Sequence, residues 1–238
     1  MATASGGKTT YGVYAYVEYS ISSTDTTTTL TVSKAQVKTS TASVGINGQA
    51  GTFSGTGQTT KTNNSWKMRN SATVNVFSAF SWSWTRGHST ETKNISFYIK
   101  FDGHSSTASF TVSVPARASW TVGYNANGGS GSIGSQTKYY GENITLSNGA
   151  GFSRPNHTLL RWNTNSAGTG TNYNLGGTYS ANGGATMYAV WKLNSIPVRT
   201  KVNGAWKTGI IYTKVNGAWK IPYVGYVKVN GAWKQIKV

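Results

Sequence analysis

Lysine and tryptophan recur at one fixed spacing near the end of this 238-residue chain. The phrase Lys-Val-Asn-Gly-Ala-Trp-Lys runs from Lys201 to Lys207, from Lys214 to Lys220 and from Lys228 to Lys234. An ammonium beside an indole makes a cation–π contact. Together the two groups offer a sugar ring a flat surface and a phosphate a positive charge. Acid–base chemistry has less to work with. The chain holds five carboxylates, Glu18, Asp25, Glu91, Asp102 and Glu142, and three histidines, His88, His104 and His157. A glycosidase needs two facing carboxylates, and Glu91 and Asp102 fall at opposite ends of one predicted strand, ~35 Å apart by the strand rise. Asp102-Gly103-His104 reads as a hairpin tip whose aspartate serves its own loop. With no cysteine there is no thiolate metal site, disulfide or cysteine nucleophile. No serine elbow, His-x-x-x-His pair or phosphate loop leading into a helix is present. The sequence therefore predicts no enzyme, no metal and no cofactor.

The charge is large and unevenly placed. Twenty-two basic and five acidic residues give +17. Residues 1–118 contribute +6, 119–192 contribute +3, and 193–238 contribute +8 with no acidic residue. Such a field attracts polyanions, and it also keeps a Gly/Thr-rich chain soluble. No helix-turn-helix, RNA-recognition or zinc motif accompanies it, so specific nucleic-acid binding is not expected. No apolar run approaches the ~18 residues of a membrane span. Met1 to Lys8 lacks the apolar core of a signal peptide. The expectation is synthesis in the cytoplasm without secretory export.

The elements that must hold these residues are strands. Charged residues make up only 11% of the chain, well under the usual quarter, and Thr, Ser, Gly and Asn replace them. In residues 1–118 apolar side chains alternate: Tyr11, Val13, Ala15, Val17, Tyr19; Leu30, Val32 and, past a bulge, Ala35; Val74, Val76, Ser78, Phe80, Trp82, Trp84; Ile95, Phe97, Ile99, Phe101; Ala108, Phe110, Val112, Val114. This is the pattern of half-buried antiparallel strands. Turns are expected at Asn47-Gly48, Gly55-Thr56-Gly57, Asn63-Asn64-Ser65 and Asp102-Gly103-His104, and Pro115 closes the domain. The prediction is a β-sandwich of seven or eight strands.

Residues 119–192 carry a more specific pattern. Trp120, then Tyr124-Asn125-Ala126-Asn127-Gly128-Gly129, opens it. Arg154-Pro155-Asn156-His157-Thr158-Leu159-Leu160-Arg161-Trp162 fills the middle, and Met187-Tyr188-Ala189-Val190-Trp191 ends it. This stretch resembles the Listeria–Bacteroides, or internalin-B-type, repeat module. That family opens on Tyr-Asn-Ala-Asn-Gly-Gly and ends on Leu-Tyr-Ala-x-Trp. Its middle is Gly-Tyr-x-Phe-x-Gly-Trp, from which Asn156, His157, Leu159 and Arg161 depart. The resemblance implies a small β-grasp-like domain that serves as a spacer or adhesion module. From the residues alone, Trp162 and Trp191 read as core aromatics and the run 125–134 as a long turn.

After a linker at 193–197, residues 193–238 read as β-hairpins turning on Asn-Gly, whose residues tolerate the positive φ of a type I′ turn. Flanking residues then pair across the turn. Lys201 faces Trp206, Lys214 faces Trp219 and Lys228 faces Trp233, and Tyr212 and Tyr226 share that face. The opposite face is small and aliphatic: Val202, Ala205, Val215, Ala218, Val229, Ala232. Lys201, Trp206, Tyr212, Lys214, Trp219, Tyr226, Lys228 and Trp233 form the candidate assembly or ligand-binding face. Four thin strands bury little apolar area alone, which favours burial in an oligomer or against the preceding module over direct ligand binding.

The repeat is also similar to the Lys-Val-Asn-Gly-x-Trp-Lys hairpins of minor tail proteins of siphoviruses with Gram-positive hosts. The resemblance implies a non-enzymatic phage virion protein of the tail or a fibre, assembled in the host cytoplasm. Its implied partners are other virion proteins, further copies of the chain (a trimer is favoured) and an anionic cell-wall glycopolymer. A bacterial cell-wall adhesin and a head-attached decoration or fibre protein are the alternatives.

Overall fold

The computed structural model describes residues 1–40, 45–69, 72–194, 197–202, 205–210, 213–220, 225–229 and 232–236. The chain is all-β, with no helix among the described residues. It divides into two compact units, Met1–Ala118 and Ser119–Val238.

The first unit holds β1 (Ala2–Ser5), β2 (Val13–Ser23), β3 (Thr27–Thr39), β4 (Ile46–Gly55), β5 (Lys61–Thr62), β6 (Lys67–Met68), β7 (Thr73–Phe77), β8 (Phe80–Thr85), β9 (Glu91–Phe101) and β10 (His104–Val114). One antiparallel sheet runs β1-β2-β3, with β7 and β8 both on the far side of β3. The other runs β10-β9-β4, with β5 and β6 both on the far side of β4. Alternation places the core as expected. Val13, Ala15, Val17, Leu30, Val32, Ala35, Phe97 and Ile99 are fully buried. The β3 bulge falls at Ser33, where the register steps from Glu18↔Lys34 to Tyr19↔Val32. The Ser33 hydroxyl donates to the Glu18 carbonyl at 3.0 Å, occupying an acceptor that the bulge takes out of the ladder.

Rings from both sheets meet in the middle. Phe53 of β4 lies 5.0 Å from Phe80, 5.4 Å from Trp82 and 5.7 Å from Phe97. Tyr19 of β2 stacks on Phe110 of β10 at 3.9 Å. The result is a sandwich with one continuous core.

Three readings of this unit need correction. Tyr11 is 57% exposed and precedes β2, in the Thr9–Gly12 turn. The strand drawn through Val74 to Trp84 breaks at Ser78-Ala79 into β7 and β8, although Val76, Trp82 and Trp84 keep one buried face. Asn47-Gly48 is no hairpin turn but a bulged stretch inside β4. The cause is Trp66. Its ring lies on Gly48 so closely that a Cβ there would sit 2.1 Å from it, and its indole N–H donates to the Ala50 carbonyl at 3.2 Å. Gly51 and Gly55 likewise leave room for Val76 and Trp82. Glycine in β4 therefore marks close approach rather than a turn.

Hydroxyls pair across the strands on the outer faces, at Thr29–Ser83 (2.9 Å), Thr31–Ser81 (3.1 Å) and Ser54–Ser96 (2.9 Å). At the exit from the sandwich, the Arg86 guanidinium donates to the carbonyls of Thr24, Pro115 and Ala116. Arg117 returns a bond to the Arg86 carbonyl at 2.7 Å.

The second unit begins with β11 (Ser119–Asn125), β12 (Ser130–Gly131), β13 (Gln136–Tyr139), β14 (Ile144–Thr145), β15 (Phe152–Ser153), β16 (His157–Asn163), β17 (Asn172–Tyr173), β18 (Thr178–Tyr179) and β19 (Ala185–Leu193). Its main sheet has the order β13-β11-β19-β16-β17, with β11 and β19 parallel. A parallel pair needs a long crossover. The intervening chain supplies it, with the ribbons β12-β15 and β14-β18 on the way. Trp162, Val122, Leu146, Met187 and Ala189 fill the core and Trp191 packs at its margin.

Next come β20 (Pro197–Val202), β21 (Ala205–Ile210), β22 (Thr213–Val215), β23 (Ala218–Lys220), β24 (Gly225–Val229) and β25 (Ala232–Ile236). Among the described residues they are six strands paired as three two-stranded sheets, where four thin strands were expected. The expected linker shrinks, since Leu193 ends β19 and Pro197 opens β20.

Candidate functional site

Asn-Gly lies between the two paired strands of each hairpin in the sequence. At Asn216-Gly217, the described turn, φ is 49° and 80°, the left-handed pair a type I′ turn requires. Register then sets Lys201 opposite Trp206, Lys214 opposite Trp219 and Lys228 opposite Trp233. Val202, Val215 and Val229 stand opposite Ala205, Ala218 and Ala232. Tyr226 pairs with Gln235, and Tyr212 lies outside the described residues. Ala205 and Ala218 are exposed.

The register adds something the sequence reading missed. The closing lysines Lys207, Lys220 and Lys234 pair with Thr200, Thr213 and Val227, one step out of phase with the Lys–Trp pairs. Counting parity outward from Asn-Gly finds this from the letters alone.

Elsewhere, Glu91 and Asp102 do bracket β9. Asp102 and Gly103, at φ 40° and 77°, turn the β9–β10 hairpin. His104 lies edge-on to Tyr11 at 5.0 Å and beside Phe101 at 5.9 Å. Glu91 pairs with Lys93, and Glu18 with Lys34 at 2.9 Å. Among the described residues no group of three or more His, Cys, Asp or Glu side chains could hold a metal ion.

In the second unit the Tyr-Asn-Ala-Asn-Gly-Gly run is a framework. The Tyr124 hydroxyl donates to Gln136 Oε1 at 2.5 Å and accepts from Ser147 N–H at 2.8 Å. Burial pushes that phenol above its ordinary value, while the Ser147 bond pulls it back. Asn125 Oδ1 accepts from Asn127 N–H at 2.8 Å, and Asn127 Nδ2 reaches the carbonyls of Ser166 and Ala189. Gly129 has no room for a Cβ beneath the Trp191 ring, whose N–H donates to the Ala126 carbonyl at 2.8 Å. The run is thus shorter as a turn than expected, because Ser130-Gly131 already pairs as β12.

Two other residues carry weight that sequence reasoning did not assign. Asn163 is fully buried and organises the 163–172 loop. Its Nδ2 donates to Gly168 O, Gly170 O and Asn172 Oδ1, and its Oδ1 accepts from Asn165 N–H and Gly170 N–H. Lys138 is fully buried too, its ammonium on the Tyr139 carbonyl at 2.7 Å and Asn182 Oδ1 at 3.3 Å.

Residues 120–190 match the Listeria-Bacteroides repeat domain family. This chain contains such a domain. No curated protein and no solved structure matches the chain significantly. Within the domain, one departure from the family middle has a local cause. Asn156 stands where glycine is usual and adopts φ 56°, a left-handed conformation asparagine tolerates. Arg161 also stands at a glycine position, one residue past a bulge at Leu160, and its buried Nε has no acceptor among the described residues.

Proposed function

We propose that the chain is a non-enzymatic structural and adhesive protein of a phage particle, in a tail or fibre position, that contacts a Gram-positive cell surface. The observation carrying this is the register of the last six strands, which builds the same Lys-opposite-Trp pair three times. A repeat domain of a kind common in surface and adhesion proteins stands directly before them. The low charge of the sandwich, with its paired hydroxyls, suits a particle surface that stays in solution without charged side chains.

The Lys–Trp faces act first in assembly, where copies of the chain cover one another's indoles, and second on an anionic glycopolymer. Sedimentation of the whole chain and of a chain lacking residues 193–238 tests assembly. The expected result is a trimer that becomes a monomer on deletion, and a monomer in both cases overturns it. Adhesion is tested by binding of labelled chain to Gram-positive cells, with loss expected for the combined variant Trp206→Ala, Trp219→Ala and Trp233→Ala.

The repeat-domain match equally suits a bacterial cell-wall adhesin. Immunogold labelling separates the two readings, marking particles for a virion protein and the cell envelope for an adhesin.

A further inference from the structure

Hydroxyl pairs join strands on the outer faces of the sandwich, but one region differs. Val13, Ala15 and Val17 point into the core, so alternation turns Tyr14, Tyr16 and Glu18 outward. On β3 the residues of that side are Lys34, the largely buried Gln36, and Lys38, opposite Glu18, Tyr16 and Tyr14 respectively. The Lys38 ammonium lies 3.2 Å from the Tyr16 ring centroid, and that of Lys8 lies 5.8 Å from the Tyr14 centroid. Gln36 Nε2 donates to Asn75 Oδ1 at 2.7 Å, extending the row onto β7. Lys34 is matched by Glu18 at 2.9 Å.

We infer that this face is a second binding surface, for a phosphate-bearing polyol polymer. A ring under an ammonium fixes its position yet engages one side of it, leaving N–H donors for an anion. Lys8 and Lys38 so held provide two positive points on adjacent tyrosines. The exposed amide of Asn75, steadied by the buried Gln36, suits the hydroxyls of a polyol. A single-stranded nucleic acid fits less well, because base stacking needs bare aromatic faces and Lys38 covers that of Tyr16. The site is independent of the hairpins, and the reading as a cell-surface adhesin serves only to choose the probe.

The test is binding of the full chain to immobilised lipid-free poly(glycerol phosphate), against a polynucleotide of equal phosphate number, over a salt series. Four forms are compared: the unaltered chain, Lys8→Gln with Lys38→Gln, Lys8→Gln with Lys38→Arg, and Trp206→Ala with Trp219→Ala and Trp233→Ala. The double lysine variant is expected to bind about tenfold more weakly, with a salt slope shallower by about one to two. Lys38→Arg should restore most of the loss it accounts for, and unchanged melting shows that the fold is intact. Undiminished binding by the double lysine variant overturns the proposal, as does equal or tighter binding of the polynucleotide. Loss in the hairpin variant alone overturns it while supporting the hairpin reading. Loss in the double lysine variant alone supports it and counts against the hairpins as the glycopolymer site.

Discussion

Tyr124 ties the stability of the second unit to alkaline pH. Its phenol is held above the ordinary value by burial, so the folded state favours the protonated form. That contribution is whole below the ordinary phenol value near 10 and is lost as pH rises through the higher folded value. Melting of the chain between about pH 8 and about pH 11 should show the decline. Tyr124→Phe should flatten it in part, Tyr179 being raised by burial as well. The same variant leaves the half-buried Ser147 N–H without its acceptor, costing about 1 kcal/mol at neutral pH. Asn163→Asp is predicted to be worse. It sets a carboxylate against the three oxygens Nδ2 now serves, and urea titration should show a loss of about 3 kcal/mol or more. Neither role was readable in the letters. An Asn followed by Thr-Asn-Ser-Ala-Gly looks like any polar loop, and its burial arises only when β16 and β17 close around it. The buried apolar residues were legible because alternation reports which side of a strand faces inward.

At the scale of elements, the tail was the easier part to read and β4 the harder. Asn-Gly at 216–217 adopts the left-handed pair its chemistry favours. Replacing both residues with alanine, which resists positive φ, should cost the hairpin about 1–2 kcal/mol. Faster amide exchange across Thr213–Lys220, with the rest of the chain unchanged, is the expected signature. The identical dipeptide at 47–48 misled, because a ring from a distant segment, not a turn, required the glycine. Gly48→Val should expel the Trp66 indole and lower sandwich stability by about 1–3 kcal/mol, visible as a red-shifted tryptophan emission and a lower urea midpoint. Counting hairpins was possible from the repeat, but whether neighbouring hairpins share a sheet was not. That depends on residues between the repeats, which carry no strong pairing signal.

At the scale of the whole molecule, charge separates the two uses of the hairpins. Three chains, each at +17, repel one another, and salt screens that repulsion over a Debye length of about 8–10 Å. Assembly through covered indoles should therefore strengthen as salt rises from about 50 to about 200 mM, while capture of a polyanion weakens over the same range. Sedimentation and cell binding measured along one salt series should move in opposite directions. If both weaken together, the hairpins act as a charge surface rather than a packed interface. The Arg86 clamp bears on a different property. By gathering the carbonyls of Thr24, Pro115 and Ala116, it anchors the chain where it leaves β10, and β10 pairs with β9 along its full eleven residues. A pull transmitted from the C-terminal side meets the Arg86 bonds before it reaches the β9–β10 ladder. The sandwich should resist tension far better than its modest charge and thin turns suggest, and Arg86→Met should lower its rupture force in single-molecule stretching.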